Sequence, residues 1–286
     1  MEQSFRISDA GKFVTIEGLR LHYVSLGSGS AVVLLHGNAG FTHDFSRVLP
    51  AIAERGYRAI AFDRPGHGQS ERPSNGLATA EFQFKLIRKA LRRLKIEKPI
   101  LVGHSWSAIL VLAYALKYEK EISGIVLLAP AAYPEEEQFA AQKALIEIPG
   151  LGDLILKVSS PFISREIRQN LERAFSPDEV PADYLELATA TWNTPDQIKA
   201  IVQDEANYSP AAEELSLRYS EIRTPTVIVT GDSDLEVNPE QHALPLHDAI
   251  KHSRLIVLPA TGHMIPHTRP DAVIDAVELV RAQSSL

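Results

Sequence analysis

The sequence predicts an α/β protein, an open and mostly parallel β-sheet with helices on both faces, carrying an inserted all-helical cap. Three observations predict it. Short runs of uninterrupted apolar residues recur along the chain, as strands buried on both faces of a parallel sheet require. Helically spaced segments follow these runs, the pattern of right-handed βαβ crossovers. One long stretch, from about Tyr133 to Tyr219, lacks strand-like runs and reads as several short amphipathic helices.

Taken in order, Phe13 to Glu17 and Leu21 to Leu26 alternate about Gly18 and predict an antiparallel hairpin at one sheet edge. The run AVVLL, Ala31 to Leu35, predicts the first fully buried strand, and Thr42 to Glu54 has helical spacing. YRAIAF, Tyr57 to Phe62, is a second buried strand. Glu81 to Lys95 is an amphipathic helix with Phe84, Ile87, Leu91 and Leu94 on one stripe. Its basic residues, Lys85 to Lys98, read as a solvated outer face. Ile100 to Val102 is a strand, Ala108 to Tyr118 a helix and Gly124 to Leu128 a strand. Thr226 to Thr230 and Leu255 to Leu258 are two more strands, followed by helices over Pro239 to Ile250 and Pro270 to Ala282. Within the strand-free stretch, Ser176-Pro177-Asp178 and Thr194-Pro195-Asp196 predict helix starts. Residues 1–132 and 220–286 then form the core and 133–219 the cap; the alternative is that these helices simply flank the sheet.

With 45% hydrophobic and 23% charged residues, the chain has the balance of a folded globular protein. Lys plus Arg number 29 against 36 Asp plus Glu, a net charge of −7, which disfavours binding to a nucleic-acid backbone. The absence of Cys excludes disulfides, thiolate metal sites, iron–sulfur clusters and a Cys nucleophile. No apolar run approaches the ~18 residues of a membrane span. The opening MEQSFRISDAGKF lacks the basic head and apolar stretch of a signal peptide. A cytoplasmic location is expected, or a periplasmic or secreted one if a preceding segment has been removed. Nothing in the sequence fixes the oligomeric state.

Four signals fall at the carboxyl ends of the predicted parallel strands, where open α/β sheets bind ligands. Val102-Gly103-His104-Ser105-Trp106-Ser107-Ala108 leads from strand to helix. A Ser there sits on a tight, strained turn that needs small neighbours two residues away on each side; the plain alternative for Ser105 is a helix N-cap. His36-Gly37-Asn38-Ala39-Gly40 follows AVVLL and would expose backbone N–H groups, or be an ordinary turn. Gly231-Asp232-Ser233-Asp234 and Gly262-His263 follow the last two strands. The order Ser, Asp, His suits a nucleophile, a tautomer-fixing acid and a base.

With HGNAG, DRPGHGQS, VGHSWSA, GDSDLEVNP and ATGHMIPHTRP in this order, the chain resembles proteins of the α/β-hydrolase fold over nearly all of its length outside the cap. The resemblance implies Ser105 as nucleophile, His263 as base and Asp234 as orienting acid, with Asp232 the rival acid and His267 the rival base. It implies backbone N–H groups of Asn38 and Trp106 as oxyanion donors. It requires no cofactor, and His263 with His267 does not make a metal site, since Pro266 breaks helical spacing. Ser107 stands where the family usually has Gly. Asn38 and Trp106 also match the positions whose side chains hold halide in haloalkane dehalogenases. Those enzymes use an Asp nucleophile, whose ester intermediate water can cleave; an alkylated Ser would be an ether. Ser105 therefore favours acyl transfer. DRPGHGQS, Asp63 to Ser70, reads as a structural turn; Arg64 and His67 could line the mouth of the site, but a solvated loop is the preferred reading.

The expected activity is cofactor-free hydrolysis of carboxylic esters of small apolar molecules through an acyl-enzyme. The alternatives are an aminopeptidase or amidase similar to the proline iminopeptidases, and a slow-turnover ligand sensor. Candidate pocket residues are Gly37, His104, Phe139, Leu154, Phe162, Trp192, Val237 and Met264.

Overall fold

A computed structural model describes residues 11–73, 78–135 and 165–284. Its centre is an eight-stranded sheet in the order β1-β2-β4-β3-β5-β6-β7-β8. The strands are β1 Gly11–Ile16, β2 Leu19–Gly27, β3 Ala31–Leu35, β4 Arg58–Phe62, β5 Ile100–His104, β6 Gly124–Leu128, β7 Thr226–Gly231 and β8 Arg254–Leu258. The hairpin β1–β2 is antiparallel and joins β4 antiparallel. Every other pairing is parallel.

The unbroken apolar runs follow from the pleat. Successive side chains face opposite sides of the sheet, and here both sides are covered. Val33, Leu35, Ile60, Phe62, Leu101, Ile125, Leu127 and Ile228 join one core with helices α2 (Ala80–Arg93) and α3 (Ala108–Tyr118). Val32, Leu34, Ala59, Ala61, Val102, Val126, Leu128, Val227 and Val229 join a second core with α1 (Val48–Glu54) and α10 (Pro270–Ser284). A polar residue at any of these strand positions would be buried on one face or the other.

Between β6 and β7 the described residues form α4 (165–175), α5 (Ala182–Trp192), α6 (Pro195–Ala206) and α7 (Tyr208–Ser216). A third apolar cluster joins Ile167, Leu171 and Phe175 of α4 and Tyr184 and Ala188 of α5 to Phe41 and Met264, from the loops after β3 and β8. Two shorter helices complete the carboxyl-terminal part, α8 (Ala243–Ala249) and α9 (Ile265–Thr268).

Local chemistry explains where boundaries differ from expectation. The helix expected over Thr42 to Glu54 opens as a 3₁₀ turn at Thr42–Phe45, because the Thr42 N–H donates to Asp63 Oδ1 at 2.6 Å. The helix expected from Pro239 begins only at Ala243, since Asn238 Oδ1 accepts the Glu240 N–H at 2.8 Å and holds a turn instead. Ser176-Pro177-Asp178 does not open a helix. It ends α4 in a turn in which the Asp178 N–H donates to Phe175 O, and α5 starts later, after Pro181. The basic face of α2 is solvated in part as ion pairs, Lys85 with Glu81 and Lys89 with Glu17.

The strand order doubles back at β3. The chain leaves β3 toward β4 on one side and returns through β5 on the other, with Leu35 in register with Gly103. The segments that follow, His36-Gly37-Asn38 and His104-Ser105-Trp106, are thereby set side by side at one sheet edge.

Candidate active site

At the end of β5, Ser105 has φ +54°, in the left-handed region that side chains with a Cβ avoid. The strand then reverses into α3 so closely that a Cβ on Gly103 would lie 2.8 Å from Ser107 O and 2.8 Å from Val111 Cγ2. Only glycine fits there. The Ser107 hydroxyl donates to His36 O and so ties this turn to the end of β3. A Cβ on Gly37 would lie 2.9 Å from Ser105 Cβ and 3.4 Å from Ser105 Oγ, so the β3 loop passes directly against the Ser105 side chain.

After β7 and β8 the loops bring Asp234 and His263 together. His263 Nδ1–H donates to Asp234 Oδ2 at 2.8 Å. Asp234 Oδ1 accepts the N–H groups of Glu236 and Val237 at 2.8 and 2.9 Å. Burial opposes charge on both groups, but each ion outweighs it for the other. Asp234 is held below the usual carboxylate range by His263 and the two backbone bonds. His263 is raised above the usual imidazole value by the Asp234 charge and hydrogen bond, with smaller help from Glu236 and Asp44. Asp232, by contrast, is exposed and accepts from Ser233 Oγ, and His267 is packed edge-on against Phe175 and Tyr184. Burial pushes His267 down to about 4, so it is neutral. Among the described residues no group of His, Asp and Glu could hold a metal ion.

The Ser105 turn and the His263 loop touch. His104 Nε2–H donates to His263 O at 2.9 Å, and burial followed by the His263 charge pushes the His104 ring down to about 3. Among the described hydrogen bonds, none joins Ser105 Oγ to the His263 ring. In unliganded sites such bonds are often long and tighten only around substrate.

Asn38 and Trp106 are both fastened to α6. Asn38 Nδ2 donates to Ile201 O at 3.2 Å and Trp106 Nε1 to Asp204 O at 3.1 Å. Trp106 is thereby committed to a backbone carbonyl, and Asn38 to a carbonyl and to the Glu205 carboxyl, which removes the basis for reading them as a halide-holding pair. The expected oxyanion role concerns their backbone N–H groups.

One expectation is corrected outright. Arg64 and His67 are not solvated; both are fully buried. The reason is Asp204 of α6, also fully buried, which accepts from Arg64 Nη1 at 2.5 Å, His67 Nε2 at 3.0 Å, Arg72 Nη2 at 3.0 Å and Gln83 Nε2 at 2.9 Å. Although burial opposes ionisation, Arg64 and the other partners hold the Asp204 carboxyl far below its usual range. Gln197 of the same helix accepts the Gly68 N–H and meets the His67 ring. A sequence signal existed: Gln197, Ala200 and Asp204 share one helical face, and all three are buried. Polar residues on a core-facing stripe announce partners elsewhere.

Two further carboxyls escaped sequence reading. Asp44 is buried, accepts the Tyr184 hydroxyl at 2.8 Å, and is pushed up to about 7 by burial. Glu205 is raised to about 7, first by burial and then by the Asp204 and Glu135 charges, while a bond from the Asn38 side chain works against the rise. Of the pocket candidates, His104, Val237 and Met264 are buried, and Trp192 packs partly buried on the third apolar cluster. Phe139, Leu154 and Phe162 lie outside the described residues.

Comparison with known proteins places this arrangement in context. A sequence profile described as the alpha/beta hydrolase fold matches residues 30–270. Over 168 residues the chain is 28% identical to bifunctional epoxide hydrolase 2 of Mus musculus, a match covering 57% of this chain but only 30% of that protein's length. It is 27% identical over 282 residues to 2-hydroxy-6-oxo-6-phenylhexa-2,4-dienoate hydrolase of Burkholderia cepacia, covering 93% of this chain and 94% of the relative. An alpha/beta hydrolase fold protein from Burkholderia ambifaria superposes with a TM-score of 0.80 at 24% identity, over 96% of this chain and 98% of that one.

Proposed function

The chain belongs to the α/β hydrolase fold family, and from that premise we propose that it is a serine hydrolase cleaving carboxylic esters of small, apolar molecules through an acyl-enzyme. The observation that carries the reading is the Asp234–His263 pair, 2.8 Å apart, whose loop bonds to the strained turn bearing Ser105.

In this reading His263 Nε2 takes the Ser105 proton as Oγ attacks the ester carbonyl. The negative oxygen of the tetrahedral intermediate lies against the N–H groups of Asn38 and Trp106. Collapse expels the alcohol, which receives the proton from His263. A water molecule, deprotonated by the same ring, then cleaves the acyl-enzyme and releases the acid. Asp234 fixes the Nδ1–H tautomer and stabilises the imidazolium formed at each attack. Ser105 separates this chemistry from reactions that pass through an alkyl-enzyme, because an ether at Ser105 would have no route to hydrolysis in the site. Residues 133–219 act as the cap over Ser105, on a core of 1–132 and 220–286, and its apolar side chains select the substrate.

The test is turnover of short aryl esters together with a fluorophosphonate adduct mapped by mass. The adduct is expected on the peptide bearing Ser105, and Ser105→Ala is expected to lose close to ~10⁶-fold in turnover if the three groups act as a unit. Equal rates in the two proteins would end the proposal. A second reading, hydrolysis of amides or esters bearing a free amine, needs an anionic group near the oxyanion loop; the candidate is Glu205, bonded to the Asn38 side chain, and with its acid raised to about 7 this reading requires an alkaline pH optimum. Matched aminoacyl arylamides and neutral esters separate the two by relative kcat/KM.

A further inference from the structure

The peptide group joining Gly37 to Asn38 carries the N–H expected to hold the oxyanion, and its carbonyl is unusually well occupied. Gly37 O accepts from Arg64 Nη2 at 2.9 Å, from His36 Nδ1 at 2.8 Å and from the Gly40 N–H at 3.3 Å. The tautomer of His36 is settled by its other nitrogen, since Nε2 accepts the Arg64 N–H at 2.9 Å. The guanidinium goes further. Its Nε donates to His36 O at 3.0 Å, and its plane lies over the Trp106 ring with the central carbon 4.3 Å from the ring centroid. Arg64 thus touches both segments that would form the oxyanion hole. It is fully buried, and its charge is tenable there because Asp204 Oδ2 meets Nη1 at 2.5 Å.

We propose that Arg64 is a positioning residue of the oxyanion hole, fixing and polarising the Gly37–Asn38 peptide so that the Asn38 N–H is oriented and strengthened as a donor. A trans peptide points its N–H opposite to its C=O, so pinning the carbonyl fixes the direction of the N–H. A charge-assisted bond to the carbonyl draws electron density from the nitrogen and makes the N–H a stronger donor. Asp204 is the counter-charge that keeps the guanidinium in place. The inference rests on the ester-hydrolase reading above, which supplies the oxyanion.

Two variants test it. Arg64→Lys keeps the charge but replaces the fork by a single ammonium point, which cannot serve His36 O, Gly37 O and Asp204 together. Arg64→Met combined with Asp204→Asn removes both charges, so that no unpaired ion is left buried if the first variant fails to fold. Removing an oxyanion donor outright typically costs ~10²–10³ in turnover, so a weakened and loosened donor should cost about 10- to 100-fold in kcat, with KM changed less than about threefold. Affinity for an aryl trifluoromethyl ketone, which forms a hemiketal oxyanion on the nucleophile, should fall by the same factor. Affinity for the ether isostere of the substrate, which has no carbonyl, should stay as it is. A folded variant with wild-type kcat overturns the inference, as does an equal loss of affinity for ketone and ether, the mark of a merely structural role. Wild-type protein without Ser105-dependent ester turnover would instead overturn the functional reading, and this inference with it.

Discussion

Replacing Asp234 by Asn tests the electrostatics of the site most directly. The carboxylate accepts the His263 Nδ1–H at 2.8 Å, which sets the two charges about 4 Å apart. At an effective dielectric constant of about 20, unit charges at that separation interact by about 4 kcal/mol, or roughly 3 pKa units as an upper limit. In the wild-type protein that attraction outweighs burial and raises the His263 pKa. Without it, burial is opposed mainly by the lesser charge of Glu236, since Asp44 keeps its proton up to about pH 7, and the pKa falls below its ordinary value. In the proposed mechanism His263 acts as a base only when neutral, so activity is expected to rise with pH through its pKa. The acid limb of kcat/KM therefore sits above the ordinary imidazole value in wild type and moves to lower pH in Asp234→Asn. The amide also donates where the carboxylate only accepted. This favours the Nε2–H tautomer, which cannot take the Ser105 proton, and the plateau should drop by about 10⁴. The assay is aryl ester hydrolysis from pH 4 to 9 for both proteins. An acid limb that stays in place, with a plateau within tenfold of wild type, would refute the reasoning.

Other perturbations follow from the buried groups around the site. Asp44, raised from its ordinary 3.8 to about 7, keeps its proton in the native state over a range where the unfolded chain has lost it. Wild-type stability thus falls between pH 4 and 7 on its account, and Asp44→Asn should become relatively more stable across that window, by at most about 4 kcal/mol, with no further change above it; urea unfolding at several pH values measures the difference. Tyr184→Phe removes the buried hydroxyl bond to Asp44 and should cost about 1–3 kcal/mol, read as a lowered Tm. Gly37→Ala forces a methyl to 2.9 Å from Ser105 Cβ. It should reduce kcat by about 10²-fold through displacement of Ser105, with a far smaller effect on Tm.

The sheet was legible because each buried strand declares itself locally. AVVLL and GIVLL alternate between two cores, so neither can carry a polar residue, and no distant information is needed to see a strand. That Ser105, Asp234 and His263 follow the ends of β5, β7 and β8 was legible for a related reason, since each buried strand marks where its loop begins. The choice between Asp234 and Asp232 came from spacing in a resembled motif, and the structure places Asp234 on the His263 ring. Arg64 and His67 were misread because a charged, Gly- and Pro-containing loop looks solvated by itself. What buries it is a carboxylate 140 residues further along the chain, and no local pattern reports a partner at that distance. Asp44 and Glu205 were missed likewise, since their burial depends on helices whose packing the sequence does not specify.

The bonds that Asp204 makes to four side chains of the core also constrain how molecules can get in and out. Lifting α6 would carry Asp204 away with it and leave the buried Arg64 guanidinium without its counter-charge, at a cost of about 3–5 kcal/mol, so only about one molecule in 10² to 10⁴ would have that helix raised at any instant. α6 is therefore held down as a fixed wall beside the Ser105 turn, not a door.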